Sequence, residues 1–356
     1  MSQRIRIGLA LALASVSGAA LATTVGEIHR TTTTPTAALR DAAHSPNLAI
    51  TVWYPAVDGA KEKPLDMGAP GKPFFISGSA APDAPLGRGS HPVVLLSHGF
   101  GGTARMMGWF GTEIARAGYV VIAVDHPGNN GMGPVTQAGA ALWWERAEDL
   151  KAALAALRQD PTIAAHMNTG SIGVAGFSLG GFTSLVAAGA RVDVGRFVAF
   201  CQANPQDGVC KPQKEAPNVT GTDGWNHAFE SPAMKEQQAH ASDDHSIPGI
   251  KAVFLMGPAL VQAIKPGSLE YITARTAIVV GADDPIAQPE TNADVAARAI
   301  KGATLTTLPH VKHYDFLGTC TAAGKAAVPL CDGVSAQDAT HAAALARAKA
   351  LFKETL

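Results

Sequence analysis

Residues 171–181 read Ser-Ile-Gly-Val-Ala-Gly-Phe-Ser-Leu-Gly-Gly, and this segment is the most informative about the fold. An apolar run leads up to Ser178, and a small, Gly/Ala-rich segment follows over residues 179–190. This order predicts a buried strand, a sharp turn with Ser178 at its tip, and a helix, which together make a nucleophile elbow. The turn is so tight that the residues two positions before and after the serine have to be small, and Gly176 and Gly180 stand there.

Apolar, strand-like runs and helical patterns alternate on both sides of this turn. The predicted strands are 47–54, 91–96, 119–124, 250–256, 275–281 and 303–308, and the predicted helices are 103–117, 143–158 and 336–355. Such an alternation predicts a mostly parallel sheet with crossover helices on its faces. No G-x-G-x-x-G follows the first strand, which argues against a dinucleotide-binding fold.

One segment interrupts this alternation. Residues 191–248 contain two cysteines and five prolines, and they show no clear helical or strand period. We expect an irregular, lid-like insertion there, within one domain that spans residues 23–356.

The N-terminal 22 residues have the pattern of a secretory signal peptide. Arg4 and Arg6 precede an uncharged run of small and apolar residues over 7–21, and an A-x-A cleavage motif ends at Ala22. The alternative is a membrane anchor, for which the run is short and rich in Ala, Gly and Ser. We therefore expect an exported protein, periplasmic or secreted, with no stable membrane span.

Composition narrows the function further. The chain has 28 Lys and Arg against 29 Asp and Glu, without a basic cluster, which argues against a nucleic-acid partner. Its four cysteines form two local pairs along the sequence. In an exported chain this spacing favours the disulfides Cys201–Cys210 and Cys320–Cys331, although three connectivities are open. The absence of a C-x-x-C motif argues against zinc.

A serine hydroxyl is a poor nucleophile, so Ser178 needs a base to take its proton and an acid to orient that base. On a fold with such an elbow the order along the chain is serine, acid, histidine. Two adjacent aspartates, Asp283 and Asp284, follow one predicted strand, and two histidines, His310 and His313, follow the last strand. The residues alone leave both choices open.

A tetrahedral intermediate also needs donors for its oxyanion, and backbone N–H groups commonly supply them. The amide of Leu179 comes directly after the serine and at the start of a helix. The second donor is expected in the loop Ser-His-Gly-Phe-Gly over residues 97–101, where the amide of Phe100 is the candidate.

Two further groups of residues have weaker functional signals. Trp143 and Trp144 are interpreted as packing residues at the start of a helix, with substrate contact as the alternative. The insertion also holds a group of potential metal ligands, His240, Asp243, Asp244 and His245. Because they lie in an irregular segment, we interpret them as a solvated loop and predict no metal site.

Five short motifs together resemble the α/β-hydrolase superfamily. They are Val-Trp-Tyr-Pro at 52–55, Leu-Ser-His-Gly-Phe-Gly-Gly at 96–102, Val-Asp-His-Pro-Gly at 124–128, Gly-Phe-Ser-Leu-Gly-Gly at 176–181 and His-Tyr-Asp-Phe at 313–316. Within that superfamily, residues 48–320 resemble the dienelactone-hydrolase-like and platelet-activating-factor-acetylhydrolase-like secreted serine esterases. Dienelactone hydrolases use a cysteine nucleophile, whereas this chain has Ser178, so dienelactone itself is not the expected substrate.

The resemblance implies an α/β-hydrolase fold and a carboxylic ester hydrolase with no metal or organic cofactor. It favours Asp284 as the acid, because that residue stands three positions after a strand-ending glycine, and His313 as the base, because Tyr-Asp-Phe follows it. The expected partner is a small-molecule or lipid-like ester, and a polymeric ester stays open. The alternatives are an inactive binding protein of the same fold and an acyltransferase that uses the same site.

Overall fold

The structure is a computed structural model that describes residues 23–221 and 228–356. The predicted signal peptide at 1–22 lies outside these described residues. Among them, no helix is both long enough and apolar enough to cross a lipid bilayer.

Most strands of the described residues belong to one large sheet. They are β1 (Val25–Thr33), β2 (Asn47–Pro55), β3 (Lys63–Pro64), β4 (Met67–Ala69), β5 (Lys72–Ile76), β6 (Ser79–Pro82), β7 (His91–Ser97), β8 (Val120–Asp125), β9 (Met167–Phe177), β10 (Ile250–Met256), β11 (Arg275–Gly281), β12 (Thr304–Leu308) and β13 (Thr319–Cys320). The ten-stranded sheet has the order β12-β11-β10-β9-β7-β8-β2-β1-β6-β3, and β13-β5-β4 form a second, antiparallel sheet. From β12 to β8 every neighbouring pair is parallel, which confirms the predicted mostly parallel sheet.

Helices cover both faces of this sheet. They are α1 (Ala37–Arg40), α2 (Gly108–Arg116), α3 (Gln137–Ala141), α4 (Glu145–Leu157), α5 (Leu179–Ala187), α6 (Val194–Ala203), α7 (Pro232–Ala239), α8 (Pro266–Leu269), α9 (Ala293–Ala299), α10 (Ala322–Ala327) and α11 (Gln337–Thr355). In β7, Val93 and Leu95 belong to the core layer of α4 and α5. Val94 and Leu96 belong to the opposite layer, with α2 and α11. Successive side chains of a strand point to opposite faces, so these apolar strands are buried on both sides.

The insertion is more regular than its sequence suggests. The prediction of an irregular segment over 191–248 is wrong where the helices α6 and α7 lie. Each begins at a capping side chain: Asp193 accepts a hydrogen bond from the amide of Arg196, and Ser231 accepts one from Met234. Both helices bury only a few residues, so their sequences lack the long apolar period that reveals a helix.

The cysteines pair locally, as the sequence favours. Cys201 is bonded to Cys210 and Cys320 to Cys331, with Cα–Cα distances of 5.2 and 5.9 Å. The first disulfide closes the part of the insertion that follows α6. The second closes the loop between β13 and the C-terminal helix α11.

Candidate active site

Ser178 lies at the turn between β9 and α5, in the conformation that a nucleophile elbow needs. Its backbone has a φ of 56° and a ψ of −119°, a strained region for a residue with a side chain. A Cβ atom on Gly176 would overlap the carbonyl oxygen of Gly180, and one on Gly180 would overlap that of Ser97. The two glycines therefore permit the close approach of strand, helix and neighbouring loop that holds the serine at the tip.

His313 and Asp284 lie next to this serine in a hydrogen-bonded line. His313 Nε2 is 2.8 Å from Ser178 Oγ, and His313 Nδ1 is 2.6 Å from Asp284 Oδ2. Since Nδ1 faces a carboxylate, it carries the proton of the neutral ring, and Nε2 is left to accept the serine O–H. All three side chains are buried, and the Phe177 ring packs against the imidazole with centroids 4.8 Å apart.

Each of these residues follows a strand of the parallel sheet. Ser178 follows β9, Asp284 follows β11 and His313 follows β12, so the three loops meet at the carboxyl edge, where ligands bind in such sheets. The other oxygen of the Asp284 carboxylate accepts hydrogen bonds from the amides of Ile286 (2.9 Å) and Ala287 (2.8 Å). Those two amides fix the carboxylate in the orientation that faces the imidazole.

The alternative acid and base lie elsewhere. His310 is 92% exposed, and its Nδ1 lies 3.7 Å from a carboxylate oxygen of Asp283, which is 53% exposed. This surface pair has no hydrogen bond to Ser178. Of the two aspartates and two histidines that the sequence leaves open, the structure brings Asp284 and His313 to the serine.

The amides of Phe100 and Leu179 are both free. Within the described residues, neither donates a hydrogen bond to another protein group. The loop that carries Phe100 is held by its neighbour Gly101, whose φ is 59° and whose amide donates to Asn129 Oδ1 at 2.9 Å. Phe100, Ser178 and Leu179 line the same pocket, so the two residues with unused amide donors border the space that the nucleophile faces.

Two pockets lie beside the line of Ser178 and His313. A narrow pocket is lined by Phe100, Trp143, Ser178, Leu179, Val209, Gln213, Ala259, Leu260 and Ile286. A wider cleft of about 520 Å³ lies on the His313 side and shares Gln213 and Ile286 with the pocket. Val209 and Gln213 come from the insertion, which therefore forms part of the wall around the serine.

Trp143 packs as the sequence predicts and also lines the pocket of Ser178, so substrate contact stays a prediction. It packs edge-on against Phe197, with ring centroids 5.0 Å apart, and its Nε1 donates to the carbonyl of Ala140 at 2.6 Å. The same side chain lines the pocket of Ser178. Trp144 is fully buried and stacks on Phe229, as expected for a packing residue.

The potential metal ligands of the insertion do not converge. His240 pairs with Asp243 at 2.9 Å, whereas His245 binds Glu148 at 3.0 Å and Asp244 pairs with Arg191 at 2.8 Å. In residues 23–221 and 228–356, no cluster of three or more His, Cys, Asp or Glu side chains could hold a metal ion.

One residue near the site had no sequence signal. Glu215, in the insertion, accepts a hydrogen bond from the hydroxyl of Tyr314 at 3.1 Å, while its other carboxyl oxygen is buried without a partner. Burial raises the pKa of Glu215, and burial together with this glutamate raises the pKa of Tyr314. A single glutamate in a segment without period carries no pattern, so only the folded chain reveals its position.

Comparisons with known proteins agree with this architecture. The family model described as "Serine aminopeptidase, S33" matches residues 89–317. No curated protein matches the sequence. Among solved structures, the ferulic acid esterase from Streptomyces cinnamoneus superposes with a TM-score of 0.58 at 16% identity, over 96% of this chain and 92% of that one. At this identity the similarity concerns the fold, and with the family model it confirms the predicted α/β-hydrolase fold.

Proposed function

We propose that this chain, which belongs to the serine aminopeptidase S33 family of α/β-hydrolases, cleaves carboxylic esters with Ser178 as nucleophile. The observation that carries the proposal is the line of two hydrogen bonds, 2.8 Å and 2.6 Å long, that joins Ser178 through His313 to Asp284. The strained backbone of Ser178 and the two free amides beside it support the same role. The narrower likeness to dienelactone-hydrolase-like and platelet-activating-factor-acetylhydrolase-like esterases stays a prediction.

The proposed reaction has two halves. Ser178 Oγ attacks the ester carbonyl while His313 Nε2 takes its proton, and Asp284 stabilises the imidazolium that forms. The amides of Phe100 and Leu179 donate to the oxyanion. His313 then gives its proton to the leaving alcohol as the C–O bond breaks, and an acyl-enzyme remains. Water, deprotonated by His313, attacks the acyl carbonyl, which releases the acid and returns the proton to Ser178. No metal or organic cofactor is required.

This mechanism orients the substrate. The leaving alcohol receives its proton from His313, so it has to lie on the side of the wider cleft that His313 lines. The acyl group then occupies the narrow pocket, whose walls include Val209 and Leu260. We therefore expect the enzyme to discriminate strongly by acyl size and weakly by the alcohol, as suits a small-molecule or lipid-like ester and leaves a polymeric ester as the alternative.

Charge favours an ester over a peptide. The α-amino group of an aminopeptidase substrate belongs to the acyl half, which would have to enter the narrow pocket. None of the described residues that line this pocket is acidic, so the pocket offers no carboxylate to compensate a protonated amine. The predicted signal peptide and the two disulfides support an exported location, because disulfides persist in oxidising compartments.

An activity series tests the proposal. We would measure hydrolysis of p-nitrophenyl esters of increasing acyl length, of ethyl ferulate and of aminoacyl p-nitroanilides. The wild type would be compared with Ser178→Ala and with Ser184→Ala, which removes a buried hydroxyl in the second turn of α5 that donates to Gly180 O. We expect esters to be cleaved, anilides not, and only Ser178→Ala to be inactive. Native-rate ester cleavage by folded Ser178→Ala would show that Ser178 is not the nucleophile.

Two further measurements separate the alternatives. A fluorophosphonate probe reacts only with an activated serine, so an inactive binding protein would remain unlabelled at Ser178. An acyltransferase would be labelled, but would form a new ester or amide in preference to the free acid when alcohols or amines are added.

A further inference from the structure

A group of charged side chains is buried beneath the loop that carries Phe100. Arg40, Arg146 and Asp149 are each at most 1% exposed, and so is His126. Burying a charge is costly unless an opposite charge compensates it. Arg40 has such a partner, because it binds both carboxylate oxygens of Asp149 at 2.8 and 2.6 Å. Arg146, in α4, makes no direct ion pair within the described residues. Burial lowers the pKa of Arg146, although Asp149 favours its charged form from a distance.

The partners of Arg146 are neutral oxygens on two different segments. Its Nη2 donates to the carbonyl of His98 and to Ser97 Oγ, the latter at 3.2 Å. Its Nε donates to Thr183 Oγ1 at 3.0 Å. Thr183 in turn donates to the carbonyl of Leu179, at 2.9 Å. One planar guanidinium therefore joins the loop that starts at Ser97 to the first turn of α5.

Those two segments are the ones that carry the free amides. Phe100 lies two residues after His98, and Leu179 is the first residue of α5. Within the described residues, no other charged side chain donates hydrogen bonds to both segments. The rigid fork of an arginine fixes the relative position of the groups it binds better than the single ammonium of a lysine does.

The neighbouring side chains orient the hydroxyl of Ser97, which accepts a hydrogen bond from Arg146. Burial and Arg146 lower the pKa of His126 to about 3, so its ring is neutral. His126 Nδ1 faces Asp149 at 2.9 Å and therefore carries the proton. His126 Nε2 then accepts the O–H of Ser97 at 2.9 Å. This leaves a lone pair of Ser97 Oγ free to accept the bond from Arg146.

We propose that Arg146 is a positioning residue for the oxyanion site: by tying the loop of Phe100 to the helix of Leu179, it sets the separation of the two amides that receive the oxyanion. The inference rests on the proposed function. Donors lower the barrier only when they already stand where charge will develop, and a displacement of about 1 Å can cost roughly 100-fold in rate. The burial of a cation that makes no direct ion pair is then explained by the geometry that it enforces.

The test compares substitutions of two arginines. Arg146→Met keeps the aliphatic stem and removes every donor, and Arg146→Lys keeps the charge but not the fork. Arg116→Met is the matched control, because it removes a partly buried arginine that pairs with Glu62 at 2.9 Å. Within the described residues, Arg116 makes no hydrogen bond to the loop of Phe100 or to the helix α5. We expect kcat for an ester to fall about 100-fold in Arg146→Met and about tenfold in Arg146→Lys, with KM changed less than about threefold. Arg116→Met is expected to keep both constants.

A transition-state analogue separates positioning from a general structural role. A trifluoromethyl ketone forms a tetrahedral adduct with Ser178 and places an oxyanion against the two amides. We expect its inhibition constant to rise by the same factor as kcat/KM falls, while circular dichroism of the folded variant stays unchanged. Adding guanidinium at millimolar concentration to Arg146→Gly is expected to restore part of kcat.

Several results would overturn the inference. A folded Arg146→Met variant whose kcat lies within twofold of the wild type would do so. A variant in which only KM rises, while the inhibition constant of the trifluoromethyl ketone is unchanged, would also do so. If Arg146→Met does not fold, Arg146→Lys and Thr183→Val, which keeps the shape of the threonine, decide the question by the same criteria. If the wild type is active and is labelled at Ser178, while the variants of Arg146 and Thr183 keep the full kcat, only the role of Arg146 is refuted. A wild type that is neither labelled nor active refutes the proposed function itself.

Discussion

The elbow at residues 171–181 and the insertion at 191–248 both line the pocket of Ser178, but different contacts hold them. In the elbow the contacts are made by backbone atoms, such as the amide of Ser178 that donates to Met256 O at 2.9 Å. In the insertion they are made mostly by side chains: Asp207 accepts from Thr291 at 2.9 Å, and Lys214 donates to Pro329 O at 2.9 Å.

This difference decides what can be read from sequence. Close backbone contacts require glycine at fixed positions, and such positions form a motif. A side-chain contact between segments a hundred residues apart requires only two compatible groups, and many pairs of residues satisfy that need. The insertion therefore shapes the pocket without leaving a recognisable pattern.

The largest expected effect tests the base. His313→Ala removes the group that takes the proton of Ser178, so kcat should fall roughly 10⁴- to 10⁶-fold. His310→Ala, three residues earlier and 92% exposed, should keep full activity. Hydrolysis of a p-nitrophenyl ester by both variants measures this, and equal losses would contradict the assignment of His313.

The disulfides test how much of the pocket the insertion sets. Replacing Cys201 and Cys210 together by serine should destabilise the protein by roughly 2–4 kcal/mol and raise KM for short acyl esters, because Val209 lines the narrow pocket. Replacing Cys320 and Cys331 should cost similar stability and leave that KM unchanged. Urea unfolding and steady-state kinetics separate the two, and identical KM values would show that the insertion does not shape the acyl pocket.

The same substitution in the two regions should have opposite effects. In Gly180→Ala the new methyl group would overlap the carbonyl oxygen of Ser97, so we expect a loss of roughly 1–3 kcal/mol and lower activity. In Gly195→Ala, within α6, the nearest atom to the added carbon is 3.5 Å away, and the helix should gain up to about 1 kcal/mol. Thermal unfolding of both variants provides the comparison; a stable and active Gly180→Ala would refute the steric argument.

The smallest expected effect concerns Glu215. Its pKa is raised by burial, so the folded state holds a proton that the unfolded state releases as pH rises above the ordinary range of a glutamate. The stability of the wild type therefore falls with increasing pH until the raised pKa is passed. Glu215→Gln lacks this titration, and its unfolding temperature should exceed that of the wild type by a few degrees at pH 8 but not at pH 4. Glu236→Gln, on the exposed side of α7, should show no such difference.

Particular residues show how far sequence reasoning reached. The parallel sheet, the elbow and the local cysteine pairs were predictable, because each depends on neighbours in sequence or on an apolar period. The choice of Asp284 and His313 over Asp283 and His310 came from a family resemblance, and the structure places the chosen pair beside Ser178. The helices α6 and α7 were missed because a few buried residues do not make a detectable period.

The amino-acid sequence was enough to locate the sharp bend, because glycines at 176 and 180 flank Ser178 after an apolar run and allow the backbone to approach closely there. It also determined which residue types were available for the proposed chemistry. The folded chain was needed to show which carboxylate faces His313 and where Glu215 lies. It was also needed to show that Arg146 joins the two segments with free amides. The physical reason is that these contacts join groups far apart in the chain, whose distance is set by the packing of the whole sheet and its helices.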